Sequence, residues 1–213
     1  MFELRQRING RPLLVGHRGS MATAPENTFA SFKAGIAGGA DILELDVQRT
    51  ADGEVMVFHD PTLNYKTGVA GGIADHTADF LQTLDVGGYF APEFAGATIP
   101  RLSEVLQWAK GRIPLMIELK HGPIFDPELD MATVRLIQEH EMVDEVVIIS
   151  FDQFALKRVK ERDARLTTSL IYVGRFLNPL NLVADMPVDG LSPAADFLTR
   201  EEVHLIQNAG YVC

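Results

Sequence analysis

Short runs of β-branched and aliphatic residues alternate along the chain with stretches whose apolar positions recur at helical spacing. The runs predict strands at 13–17, 42–47, 115–119, 146–150, 168–172 and 189–192, with a further strand start at 211–213. The amphipathic stretches predict helices near 27–38, 103–110, 127–140, 154–162, 178–184 and 199–209. Pro25-Glu26-Asn27-Thr28 opens the first helix and Gly38-Gly39 closes it, while Ser103 and Thr199 are candidate N-caps. Such alternation argues for an α/β chain with a parallel sheet. Repeated units of this size point to a TIM-type (β/α) barrel rather than an open sheet.

One interval, from Asp46 to Pro114, is too long for a single unit. Its first part reads as a hairpin, with Asp52-Gly53 as a type I′ turn. Pairing about that turn would set Asp46 opposite His59. Residues 61–100 are rich in Gly, Thr and Asp. They read as an insertion over one mouth of the barrel, within a single domain spanning 1–213.

Parity within the strands gives the first chemistry. In Ile42-Leu43-Glu44-Leu45-Asp46-Val47 the odd positions are apolar and suited to pack beneath helices. The even positions send Glu44 and Asp46 into the barrel. Met116, Glu118 and Lys120 share one face of the next strand in the same way. Ionised carboxylates buried together cost several kcal/mol each unless something positive compensates them. Any one of them could be a solvated strand-end charge, Glu118 simply pairing with Lys120 or Arg112. Three from two strands suggest a hard divalent cation, Mg²⁺ or Ca²⁺, with Glu44, Asp46 and Glu118 as oxygen ligands.

Two histidines belong to the same mouth. His17 ends the first strand beside Arg18, and His59 follows the hairpin. Two imidazoles suit general acid–base work, one taking a proton and the other protonating a leaving alkoxide. Arg18 and Lys120 could neutralise phosphate oxygens. Metal-assisted cleavage of a phosphodiester is where these pieces converge.

Composition trims the alternatives. The 213 residues are 46% hydrophobic and 23% charged, ordinary for a globular chain. No apolar run reaches the ~18 residues of a membrane span. The amino terminus lacks the apolar block of a secretory signal, so a cytoplasmic location is expected. A net charge of −10 argues against a nucleic-acid partner. The single cysteine, Cys213, excludes an intrachain disulfide and a cysteine-based zinc site. No Gly-x-Ser-x-Gly elbow, P-loop or dinucleotide fingerprint occurs. His140 and His204 read as surface or packing residues and Trp108 as packing, while His121 is a candidate for the mouth.

His17-Arg18-Gly19, Pro25-Glu26-Asn27-Thr28, Gly39-Ala40-Asp41, Glu44-Leu45-Asp46-Val47, Asp52-Gly53, His59-Asp60 and Glu118-Leu119-Lys120, in this order, resemble the glycerophosphodiester phosphodiesterase family. Leu84-Asp85-Val86-Gly87, Phe94-Ala95-Gly96 and Ile99-Pro100 look like that family's insertion, and Gly190-Leu191-Ser192-Pro193 like its later strand. The resemblance implies a TIM-type barrel that hydrolyses glycerophosphodiesters, small-molecule substrates, to glycerol 3-phosphate and an alcohol. It carries the acid–base pair onto His17 and His59, the metal ligands onto Glu44, Asp46 and Glu118, and phosphate contacts onto Arg18 and Lys120. Either a glycerol hydroxyl or a water attacks phosphorus.

Two departures stand out. Relatives usually have an arginine near Tyr65, where this chain reads Asn64-Tyr65-Lys66. Relatives also continue beyond a segment like Gly210-Tyr211-Val212 into further strands and a helix, whereas this sequence stops at Cys213. The expectation is a barrel lacking its last βα units, with exposed strand edges that a homodimer could cover. Other readings are a phospholipase D-like enzyme acting on lysophospholipid or sphingolipid, and a catalytically defective phosphate-binding fragment.

Overall fold

The computed structural model describes residues 2–4, 8, 10–121 and 125–213. Its strands are β1 (Val15–Gly16), β2 (Ile42–Arg49), β3 (Val55–Val57), β4 (Leu115–Leu119), β5 (Val146–Ser150), β6 (Thr167–Tyr172) and β7 (Gly190–Pro193). β1-β2-β4-β5-β6-β7 pair in parallel in that order, and β3 pairs antiparallel with β2. The result is a curled partial TIM-type barrel, in which Val212 adds one parallel bridge to Gly190 at the outer edge of β7.

The main helices are α1 (Phe29–Ala37), α2 (Asn64–Thr67), α3 (Ala78–Leu81), α4 (Leu102–Ala109), α5 (Pro127–Glu139), α6 (Gln153–Arg162) and α7 (Arg200–Asn208). Their ends follow local chemistry. Thr28, Asp126, Asp152 and Thr199 accept hydrogen bonds from first-turn amides of α1, α5, α6 and α7. Ser103 is not a cap. α4 starts one residue earlier, and Glu104 reaches back to accept from the Arg101 amide at 2.9 Å. The helix expected at 178–184 shrinks to a 3₁₀ turn, Pro179–Leu182.

The strand parity read from the sequence is the parity observed. Leu43, Leu45, Val47, Leu115, Ile117 and Leu119 pack into one large apolar core with α4, α5 and α6. Ile42 joins Phe2, Val147 and Ile149 on the opposite, inner face, where they fill the base of the barrel. Glu44 and Asp46 lie above Ile42 on that inner face, toward the carboxyl ends of the strands.

The hairpin register differs from expectation by one residue. Val47 pairs with Val57 and Arg49 with Val55, so Phe58 lies opposite Asp46 and donates its amide to the Asp46 carbonyl at 2.9 Å. The cause is the turn. Thr50 pairs with Glu54, leaving a three-residue loop, and among Ala51, Asp52 and Gly53 the glycine takes φ +89°. That conformation is the three-residue hairpin ending in a left-handed glycine rather than a type I′ turn. His59 therefore leaves the ladder and is held by other contacts.

Residues 61–100 carry a small core of their own. Leu63, Ile73, Ala78, Leu81, Val86 and Ile99 pack on Met56 and Phe58. Leu63, at the start of α2, ties that helix to the cluster, and Lys66 on it reaches Glu26 and Asp60. Among the described residues, no helix is long and apolar enough to cross a membrane.

Candidate functional site

Three carboxylates converge at the carboxyl ends of β2 and β4. The parallel register sets Asp46 beside Glu118, and Glu44 lies two residues before Asp46 on the same face. One oxygen from each lies within 4.8 Å of the others, and all three residues are buried. Burial, then the neighbouring Asp46 charge, pushes the Glu44 carboxyl up to about 8. Burial also raises Glu118, although Lys120 pulls it back.

Two basic residues counter this charge. Lys120 Nζ lies 2.7 Å from Glu118 Oε1 and 3.1 Å from Asp46 Oδ1. Burial works against its charge, but the two carboxylates prevail and its pKa is raised. Arg18 donates its amide to Glu44 at 2.9 Å and directs its guanidinium to both Glu26 and Asp46. Asp46 Oδ1 is buried, with the Lys120 ammonium as its ion-pair partner and no hydrogen bond of good geometry. A raised Glu44, a buried Asp46 oxygen held only by that ion pair and an all-oxygen donor set together fit a hard divalent cation.

The backbone carrying Arg18 is strained. Arg18 and Asn27 both take left-handed φ, +51° and +58°. They hold each other, since the Asn27 amide donates to the Arg18 carbonyl at 3.1 Å. Asn27 then clamps Asp46, donating from Nδ2 to Oδ2 at 2.8 Å while its Oδ1 accepts from the Asp46 amide at 3.3 Å. Gly19 makes the turn possible. At φ +87°, an added Cβ would lie 2.5 Å from the Ser31 carbonyl carbon. Gly19→Ala is expected to lower stability by at least ~2 kcal/mol, from left-handed strain plus this clash. Denaturant unfolding would show it, and an unchanged midpoint would contradict it.

His17 and His59 flank the carboxylates. His17 Nε2 is 3.8 Å from Glu44 Oε2, and more than half of its side chain faces solvent. Burial of the remainder, then the Arg18 charge, lowers its pKa. His59 Nδ1 lies 3.0 Å from Asp60 Oδ1. Burial pushes Asp60 upward, yet hydrogen bonds from His59 and Lys66 keep it below its ordinary value. Asp60 is therefore ionised, His59 Nδ1 donates to it, and Nε2 is the nitrogen left for chemistry.

All seven residues singled out in the sequence gather here. Sequence reasoning named Glu26, Asn27 and Asp60 only as parts of motifs and gave neither them nor Lys66 a role in supporting the site. Lys66 is nearly buried, 2.7 Å from Glu26 Oε1 and 2.9 Å from Asp60 Oδ2, with its ammonium over the Phe58 ring. Glu26, His59 and Asp60 form a second group with metal-ligand spacing. Both groups have a lysine beside them, but only Glu44, Asp46 and Glu118 are all carboxylates and all buried, which makes that group the stronger candidate for a hard cation. An asparagine placed just before the capping Thr28, where the helix does not need it, was the available signal for Asn27.

Comparison with known proteins identifies the family. Residues 17–210 match the model of the glycerophosphoryl diester phosphodiesterase family. A glycerophosphodiester phosphodiesterase from Caldanaerobacter subterraneus subsp. tengcongensis is 35% identical over 184 residues, 86% of this chain and 76% of that protein. The structure of an Oleispira antarctica phosphodiesterase in complex with the product sn-glycerol-3-phosphate superposes with a TM-score of 0.86. It is 28% identical, over 94% of this chain and 82% of that one. A glycerophosphodiester phosphodiesterase from Agrobacterium tumefaciens gives a TM-score of 0.78 at 30% identity, over 93% and 84% of the two chains. With its sequence matched from His17 onward and its barrel shared with these enzymes, the chain belongs to the glycerophosphoryl diester phosphodiesterase family.

Proposed function

We propose that this chain hydrolyses glycerophosphodiesters to glycerol 3-phosphate and an alcohol, with His17 and His59 as the acid–base pair. The observation that carries this reading is two imidazoles flanking one buried three-carboxylate cluster. Glu44, Asp46 and Glu118 would hold a divalent ion, Mg²⁺ or Ca²⁺. That ion would supply Lewis-acid stabilisation of the charge developing on the phosphoryl oxygens.

The remaining work belongs to side chains. Arg18 and Lys120, each most of the way buried beside the carboxylates, bind the phosphate oxygens. One imidazole takes the proton of the attacking water, and the other gives a proton to the departing alkoxide, so that the water consumed and the alcohol released balance. Where a glycerol hydroxyl attacks instead, the alcohol leaves first and the same pair, with roles exchanged, adds water to the cyclic phosphate. Residues 61–100 act as an insertion of the same domain, supplying Lys66 to fix Asp60 and therefore His59.

The test is release of glycerol 3-phosphate from glycerophosphoethanolamine by the 213-residue chain. Turnover that needs Mg²⁺ or Ca²⁺ and stops with a chelator is the expected result. Well-folded protein without turnover under either metal would overturn the proposal.

A further inference from the structure

Each carboxylate of the buried cluster already has one oxygen engaged by the protein. Glu44 Oε2 accepts from the Arg18 amide at 2.9 Å, and Glu118 Oε1 faces the Lys120 ammonium at 2.7 Å. Asp46 Oδ2 accepts from Asn27 Nδ2 at 2.8 Å, with Arg18 Nε 3.4 Å away. These engagements differ in firmness. Lys120 is a point charge on a flexible stem and can yield to another cation. Asn27 cannot yield, because both polar groups of its side chain are committed to one residue.

Asn27 and Asp46 are both buried. The Asp46 amide can only donate, so the Asn27 atom that faces it at 3.3 Å is Oδ1, and Nδ2 is left to face Asp46 Oδ2. The two contacts, one to backbone and one to side chain, hold the Asp46 carboxylate in a single orientation. The Asn27 backbone is itself held by its bond to the Arg18 carbonyl. Asp46 therefore keeps Oδ2 for Asn27 and turns Oδ1 toward the cluster, where Lys120 stands 3.1 Å away.

We propose that Asn27 is a positioning residue that confines Asp46 to one-oxygen ligation and so selects Mg²⁺ over Ca²⁺ at Glu44, Asp46 and Glu118. The inference rests on the metal-dependent reading proposed above and specifies its ion. Mg²⁺ demands near-octahedral geometry and keeps several waters, so carboxylates that give one oxygen each suit it. Ca²⁺ takes a larger and more flexible oxygen shell, and carboxylates that give both oxygens help to fill it. A carboxylate whose second oxygen is tied to a buried amide withholds that gain.

The experiment is calorimetric titration of the metal-free chain with Mg²⁺ and with Ca²⁺, without substrate, read as the ratio of the two dissociation constants. The parent should bind Mg²⁺ more tightly than Ca²⁺. Asn27→Gly accepts the left-handed backbone and removes the clamp. Its ratio should move toward Ca²⁺ by roughly tenfold, the scale on which outer partners tune a metal site. Asn27→Asp also tolerates that backbone but puts an acceptor where the donor was, and should move the ratio the same way. If Asn27 only held the fold, both ions would weaken together and the ratio would not change, since a loss of folded protein cancels in it. A ratio unchanged in either folded variant, or a parent that prefers Ca²⁺, would overturn selection by Asn27 and leave the metal reading standing. A parent that binds neither ion would overturn both.

Discussion

Replacing Glu44 by glutamine is expected to raise the stability of the metal-free protein at alkaline pH while removing its response to divalent ions. The Glu44 carboxyl is pushed from an ordinary 4.5 to about 8, by burial first and by Asp46 second. A carboxyl whose folded pKa is raised stabilises the fold in its protonated form. That contribution is fully present below about 4.5 and is lost as pH rises through about 8. Each pKa unit corresponds to ~1.4 kcal/mol, so the charged cluster costs a few kcal/mol above that range. Glutamine keeps an oxygen for the Arg18 amide and carries no charge to desolvate. In chelator at pH 9 the variant should melt about 5 °C above the parent, and at pH 4 the two should nearly coincide. Added Mg²⁺ or Ca²⁺ should raise the parent's melting temperature through linkage and leave the variant's almost unmoved. Equal melting temperatures in chelator at pH 9 would mean that the carboxylates do not strain one another.

The inner carboxylates could be read from the sequence because strand parity is a strict rule. Leu43, Leu45 and Val47 on one side require Glu44 and Asp46 on the other, whatever the loops do. Glu118 followed from the same parity on β4, and His17 from the end of the first strand. The site's supports obey no such periodicity. Asn27 takes a left-handed backbone tied to the Arg18-Gly19 turn by its amide bond to the Arg18 carbonyl. Lys66 reaches Glu26 from 40 positions along the chain, through a segment whose small core is not periodic in sequence. The hairpin was misread for a local reason. Asp-Gly fits both a two-residue and a three-residue turn, and the second is closed by the Glu54 amide donating to Thr50 Oγ1 and the Thr50 amide donating to the Glu54 carbonyl, each at 2.9 Å. One residue of register moved the partner of Asp46 from His59 to Phe58. His59 nonetheless remains at the site, because Asp60 and Lys66 anchor it independently of the ladder.

That anchoring supplies the second large expectation. In the proposed mechanism, His59→Ala should lower kcat by roughly 10²–10⁴-fold, as loss of an acid or base does, with His17→Ala in the same range. The two roles separate by leaving group. A glycerophosphate ester of p-nitrophenol expels a stable anion and needs no proton donor, so the variant lacking the acid should recover most activity on it. The variant lacking the base should not. Lys66→Met leaves both imidazoles in place but removes the cation between Asp60 Oδ2 and Glu26 Oε1. Asp60 then loses the bond that orients it, and Glu26 loosens its grip on the Arg18 guanidinium, now 3.1 Å away. The expected effect is a smaller fall in kcat, on the order of tenfold, with a shifted pH profile and substantial rescue by Lys66→Arg. A merely structural lysine would lower the melting temperature without moving the pH profile of the protein that remains folded. Equal losses on both substrates for both histidine variants would remove the proton-transfer assignment and leave His17 and His59 as phosphate-binding groups.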